Sequence, residues 1–221
     1  MPILLDAAFL YNQIPVDKHI QNYEPDVRCT ADIELVSQAQ KGDLSSRSQV
    51  DLGDENIKAF EELVRRYRND VFRLAYHFTR NREDAWDLSQ EVFIKVYKSL
   101  NGFRGDAQFK TWILRITANQ CKDYWKKRRL HTVPLSEGLL AADSARPNQD
   151  LEAEEIGQAL SAALQKLPHK HRTAFILREF EEMTYEEMAQ VMQCSLGTVM
   201  SRLFHARKKL QTILADMGVV A

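Results

Sequence analysis

Cysteine is scarce: Cys29, Cys121 and Cys194 are the only three in 221 residues, and none belongs to a Cys-x-x-Cys pair. Their odd number and wide spacing exclude a disulfide framework, and the absence of a Cys/His cluster at ligand spacing excludes a zinc site. Glycine and proline are also few, at eight and six residues, which favours helices. No apolar run approaches the roughly 20 residues that cross a bilayer. The opening Met-Pro-Ile-Leu-Leu is interrupted at Asp6 and lacks the basic start of a secretory signal. Net charge is missing too: 30 basic against 31 acidic residues leave −1, so the chain as a whole is no polycation. No segment alternates as a strand does, and no internal repeat is present. No convergent carboxylates or nucleophile–base pair suggest an active site. These absences predict a reduced, soluble, cytoplasmic, all-α protein that is not an enzyme, needs no cofactor or metal, and does not insert into a membrane.

What is present is unevenly placed. Acids prevail from Asp6 to Glu62 and from Asp143 to Glu155, while bases gather at Lys122 to Arg129 and Arg202 to Lys209. Such separation predicts localised nucleic-acid contacts rather than a general coating. Periodicity divides the chain into two small helical domains joined by a flexible linker. Residues 1–56 form an N-terminal extension and loop, partly helical over 31–41, with a polar loop at Gly42 to Asn56. Residues 57–130 form a first helical block, with Phe60, Leu63, Val64, Tyr67, Val71, Leu74 and Phe78 at helical spacing. Further helices are expected at Glu83 to Leu100 and Phe109 to Arg129. Residues 131–151 lose periodicity and contain Pro134, Gly138 and Pro147, so they read as the linker. Residues 152–221 form a second block, broken at Pro168. His169 and His171 flank Lys170 at a spacing that shares no helix face, and both are expected at the surface.

The second block carries the clearest motif. Thr184 and Glu187 make a capping box, and Tyr185, Met188, Ala189 and Met192 fall on one face of the helix that follows. Ser195 is placed to cap a second helix, where Val199, Leu203, Ala206 and Leu210 recur at helical spacing. Its other face offers Thr198, Ser201, Arg202, His205, Arg207, Lys208 and Lys209. Apolar back, short polar groups and cations suit a helix lying in a DNA major groove. An amphipathic hairpin with a solvated basic face has the same pattern.

Two further faces stand out in the first block. On the helix after Arg82, Ala85, Leu88, Val92, Val96 and Leu100 make a buried stripe, and Asp87, Gln90, Glu91 and Ile94 lie elsewhere. That second set suits docking on another protein's helices or a solvated acidic face. From Phe103 and Arg104 onward, Phe109, Ile113 and Ile116 face the core. Trp112, Arg115, Asn119, Lys122 and Lys126 follow another seam, and Tyr124, Lys127 and Arg128 extend it. Rings interleaved with cations can hold unpaired bases beside a charged backbone. A core helix with a basic C-terminal end would carry the same residues.

Taken together, Asp87-Leu-Ser-Gln-Glu-Val-Phe-Ile-Lys-Val-Tyr97, Phe103-Arg-Gly-Asp106, Phe109-Lys-Thr-Trp-Ile113, Leu177-Arg-Glu179, Thr184-Tyr-Glu-Glu-Met-Ala189 and Gly197-Thr-Val199 resemble the extracytoplasmic-function (ECF) group of bacterial sigma factors. The resemblance covers about residues 57–130 and 152–214, as the family's regions 2 and 4. It implies a transcription initiation subunit that recruits core RNA polymerase to promoters and promotes DNA melting; an autonomous helix-turn-helix regulator is the alternative. Asp87, Gln90, Glu91 and Ile94 would dock on the β′ clamp helices, with the β flap as a further contact. Phe103 to Arg128 would bind the melted minus-ten element, with Asn119 lining a pocket for a flipped base. Thr198, Ser201, Arg202, His205, Arg207 and Lys208 would read the minus-thirty-five duplex. An anti-sigma factor is an implied partner. The chain departs from the family pattern at Met200 and His205, where cations are common, and at the Gly42–Asn56 insertion. The first 30 residues lack a family counterpart, as an upstream start codon would produce.

Overall fold

The computed structural model describes residues 28–40, 55–131 and 151–219, and every long regular element among them is an α-helix. In chain order these are α1 (Arg28–Gln40), α2 (Glu55–Thr79), α3 (Arg82–Ser99), α4 (Phe109–His131), α5 (Leu151–Lys166), α6 (His169–Glu179), α7 (Tyr185–Met192) and α8 (Leu196–Asp216). A short 3₁₀ turn, Leu100–Gly102, follows α3. Residues 1–27, 41–54, 132–150 and 220–221 fall outside the described residues, and with them most of the leader, of the Gly42–Asn56 insertion and of the 131–151 linker.

The first block forms around α2. Leu63, Tyr67, Val71, Leu74 and Phe78 recur at steps of three and four, and all are buried. Against them pack the α3 stripe of Ala85, Leu88, Val92 and Val96, then Leu100 and the α4 residues Phe109, Ile113 and Leu114. Each fully buried leucine or isoleucine contributes about 1.5–3 kcal/mol by leaving water. The turn between α2 and α3 is sharp. Arg80 sits at φ 54°, and the Asn81 side chain accepts from the Glu83 and Asp84 amides at 2.8 and 3.0 Å, capping α3.

Helix α1 braces this block through polar contacts. Asp32, buried, accepts from Arg66 at 2.9 Å and from the Tyr67 hydroxyl. At the helix's other end, Gln40 Nε2 donates to the Leu100 and Phe103 carbonyls at 2.8 and 3.1 Å. Those bonds tie α1 to the turn after α3, where the Leu100 carbonyl also accepts from the Phe103 amide at 3.0 Å.

In the second block, α5 and α6 meet α8 through Leu160, Ala163, Leu164, Leu167 and Phe175 against Ala206, Leu210 and Leu214. Pro168 caps α6, as its fixed φ and missing N–H allow at a helix start. The two blocks are not separate in space. A single buried cluster runs from the first into Ile176, Leu177, Met183, Met188 and Val191 of the second, and α4 packs directly on α7.

This contact corrects one sequence expectation. His169 is not a surface residue: its ring stacks on Phe78 with centroids 5.6 Å apart, and burial lowers its pKa to about 4. His171 is half-buried as well, beside His205 at 6.0 Å.

Candidate nucleic-acid and docking surfaces

The outward face of α3 follows from its cap and its stripe. With Ala85, Leu88, Val92 and Val96 turned inward, Asp87, Gln90, Glu91 and Ile94 are all exposed on the opposite side. Glu91 is less free than its exposure suggests. Gln120, buried in α4, donates from Nε2 to Glu91 Oε2 and accepts from Lys95 Nζ. Trp86 joins this face at 61% exposure, edge-on to Phe72 at 6.4 Å, a residue that sequence reasoning passed over. Its signal was a tryptophan outside the buried stripe. The surface therefore combines carboxylates and an amide with two large exposed apolar side chains, Trp86 and Ile94.

The aromatic and cationic residues of the second candidate site divide into two sets. Phe103, Phe109 and Trp112 form a ring cluster with centroids 5.2–5.5 Å apart. Trp112 is only 8% exposed, so it stands inside the block and apart from the outer seam. Asn119, Lys122, Lys126, Lys127 and Arg128 are exposed, Arg115 is half-buried beside them, and Arg104 is exposed on the preceding turn. Gly105 in that turn has φ +78°, a conformation that favours glycine.

Tyr124 is tied down rather than free. Its hydroxyl donates to Asp84 Oδ2 at 2.7 Å and accepts from Arg128 at 2.7 Å. Burial, then the bond to Asp84, raises its pKa. Trp125, which the sequence did not single out, donates to the Phe78 carbonyl at 3.1 Å and lies under the Arg172 guanidinium at 4.4 Å. The outer seam offers one amide among cations, a surface able to hold a phosphate backbone and one base edge.

The helix-turn-helix has both expected caps. Thr184 Oγ1 accepts from the Glu187 amide at 3.2 Å, and Glu187 Oε2 accepts from the Thr184 amide at 2.8 Å. Gln193 turns the chain at φ 49°, and Ser195 Oγ accepts from the Thr198 amide at 3.3 Å to start α8. Val199, Leu203, Ala206 and Leu210 are buried, which leaves Ser201, His205 and Lys208 exposed with Thr198 and Arg202 half-buried. Arg202 reaches back to Cys194 Sγ at 3.4 Å, and Arg207 is held by Glu179 at 2.5 and 3.2 Å. Arg207 therefore fixes α8 to α6 in this arrangement. Between the polar positions lie two exposed apolar side chains, Met200 at 49% and Phe204 at 63%.

Among the described residues no group of three or more His, Cys, Asp or Glu side chains could hold a metal ion, and no helix is long and apolar enough to cross a membrane.

Family models match both blocks: Sigma-70 region 2 over residues 63–131 and Sigma-70, region 4, over residues 157–210. The RNA polymerase sigma-H factor of Pseudomonas aeruginosa is 34% identical over 198 residues, spanning 84% of this chain and 95% of that protein. The ECF RNA polymerase sigma-E factor of Escherichia coli K12 is 34% identical over 186 residues, spanning 80% and 90%. A solved structure of CnrH in complex with the cytosolic domain of CnrY aligns with a TM-score of 0.58 at 25% identity, covering 84% of this chain and 98% of that one.

Proposed function

Because the chain belongs to the extracytoplasmic-function group of RNA polymerase sigma factors, we propose that its three surfaces divide the work of initiation. The α3 face docks on the β′ clamp helices of core polymerase, through Asp87, Gln90, Glu91 and Ile94. The exposed seam of α4 holds the melted minus-ten element, and α8 reads the minus-thirty-five duplex. The protein supplies binding energy and geometry, and the polymerase supplies the chemistry. It works in the cytoplasm, and an anti-sigma factor holds it when it is idle.

The observation that carries the minus-ten role is Asn119. Its side chain is exposed on α4 between half-buried Arg115 and exposed Lys122, an amide flanked by cations on consecutive turns. An amide there can pair with the edge of a base taken out of the stack while the cations hold its phosphates. Capture of an unstacked base stabilises melted DNA without any catalytic group.

Purified chain mixed with bacterial core polymerase is expected to start specific run-off transcripts from a subset of genomic promoter fragments. Core alone is expected to start none of these. Absence of specific initiation from every fragment, with the chain folded, would overturn the reading. Tight duplex binding without polymerase would favour an autonomous regulator instead.

A further inference from the structure

Helix α1 holds the turn that leads into α4, and the hold comes from one side chain. Gln40 is half-buried, and its Nε2 donates to the Leu100 carbonyl at 2.8 Å and to the Phe103 carbonyl at 3.1 Å. Two carbonyl oxygens can be met only by the NH₂ end of the amide, which carries two donors. The Phe103 amide closes the same turn from within by bonding Leu100. Gln40 therefore grips the 3₁₀ turn at its first residue and at the residue that follows it.

The grip comes from a fixed base. Val36 and Ala39 of α1 are buried in the core of the first block, and Asp32 bonds Arg66 and Tyr67 of α2. At the far end, Phe103 is where the backbone leaves the 3₁₀ turn for an extended course, with φ −75° and ψ 118°. A peptide group is planar, so holding the Phe103 carbonyl also sets the Arg104 amide and the direction in which Arg104 departs. The Phe103 ring is held as well, 5.5 Å from Phe109 and 5.2 Å from Trp112. Gly105 then takes its φ of +78°, and the chain enters α4 at Phe109. Arg104 is thus an exposed cation on a turn pinned from two sides. Gly102 and Arg104 are exposed, so water could serve the Phe103 carbonyl in place of Gln40. What the glutamine adds is a single direction for the turn.

We propose that Gln40 is a positioning residue for minus-ten binding, which through the Phe103 carbonyl aims Arg104 at a phosphate of the melted strand. The proposal rests on the minus-ten reading of α4. Gln40 touches no DNA in it. Without its bonds the turn takes several directions, and ordering Arg104 when DNA binds then costs affinity.

The test is a double-variant cycle with holoenzyme, made from this chain and core polymerase, on a fork-junction DNA taken from a promoter found by run-off transcription. Arg104→Met removes the cation, and Gln40→Met keeps the side-chain length without its donors. Gln40→Met is expected to weaken fork binding about 5-fold, the worth of one hydrogen bond. Both variants are expected to make the slope of log affinity against log salt shallower, by up to about 0.7, the share of one single-strand phosphate. The double variant is expected to bind within about twofold of Arg104→Met alone, because Gln40 acts only through Arg104. Losses that multiply in the double variant would show a general loosening and overturn the proposal. So would wild-type affinity and slope in Gln40→Met, or its failure to co-purify with core.

Amide exchange of the free chain separates the grip from the promoter reading. Gln40→Met is expected to speed exchange at Phe103 while the amides of α2 keep their wild-type rates. Unchanged exchange at Phe103 would remove the grip. If wild-type holoenzyme binds no fork, the promoter reading falls and this proposal with it, and the exchange result alone survives. Should circular dichroism show that Gln40→Met does not fold, Gln40→Ser, too short to reach either carbonyl, is read by the same criteria.

Discussion

Gln120 of α4 bonds Glu91 of α3 from inside the fold, so the face expected to meet polymerase is braced by the helix expected to meet DNA. The same amide accepts from Lys95, which holds a cation and a carboxylate in fixed positions one helical turn apart. Removing it should loosen both. Gln120→Ala is expected to lower unfolding free energy by about 1 kcal/mol, since water reaches Glu91 and Lys95 once the bond is gone. Urea titration followed by circular dichroism measures this, and an unchanged midpoint would count against the brace.

The docking face itself is tested by charge reversal. Asp87→Arg with Glu91→Arg is expected to abolish co-purification with core polymerase while helix content stays at the wild-type level. Both positions are exposed, so the fold does not depend on their charge for its core. Undiminished co-purification would move the docking site elsewhere.

The capping box should control the duplex reader. Thr184→Ala removes the acceptor for the Glu187 amide and is expected to cost about 1 kcal/mol. Amide exchange in α7 and α8 should rise more than in α3. Equal protection everywhere would show that α7 needs no cap.

Restoring cations on α8 should strengthen phosphate contacts. Met200 and His205 are exposed on the face that carries Ser201 and Lys208. Met200→Arg and His205→Arg are each expected to tighten minus-thirty-five duplex binding and to steepen the slope of log affinity against log salt by about 1. Titration at several salt concentrations reads the slope. An unchanged slope would place these positions away from the backbone.

Acid should weaken the contact between the blocks. Burial, and secondarily the charge of Arg73, lower the His77 pKa from 6.5 to about 3. Burial, with Arg172 and Lys122, lowers His169 to about 4. Both stay neutral when folded but take protons in the unfolded chain below pH 6.5, so the unfolded state binds more protons there. Stability is therefore complete above about pH 6.5 and is lost as pH falls toward the folded values. The expected loss between pH 7 and 5 is about 2 kcal/mol for each histidine, and so about 4 kcal/mol for the two. His77→Phe keeps a ring against Phe180 and should show a smaller loss. Identical losses in wild type and variant would deny His77 this role.

The helices were legible because their signals are local. Capping residues at Thr184 and Ser195, the period of the α3 stripe and the break at Pro168 all act within one or two turns. Their ends in the structure lie within three residues of the sequence reading: the helix expected over 31–41 spans Arg28–Gln40, and the one expected from Phe109 starts there. What was not legible depends on partners far along the chain. His169 looked exposed because its cover, Phe78, lies in another block. Trp112 matched the seam by spacing but is drawn inward by Phe103 and Phe109. Arg207 matched the basic face and is turned back by Glu179, 28 residues earlier. Glu181 carried no motif at all, and only Arg73, brought up on α2, gives it a partner.

Permanganate footprinting of promoter thymines tests the central claim most directly, because it reads melting at single bases. On a promoter found by run-off transcription, core polymerase with this chain is expected to make thymines near the minus-ten element reactive, and core alone is not. Asn119→Ala is expected to lose most of that reactivity while co-purifying with core as wild type does. Wild-type reactivity in Asn119→Ala, or melting by core without the chain, would contradict the account.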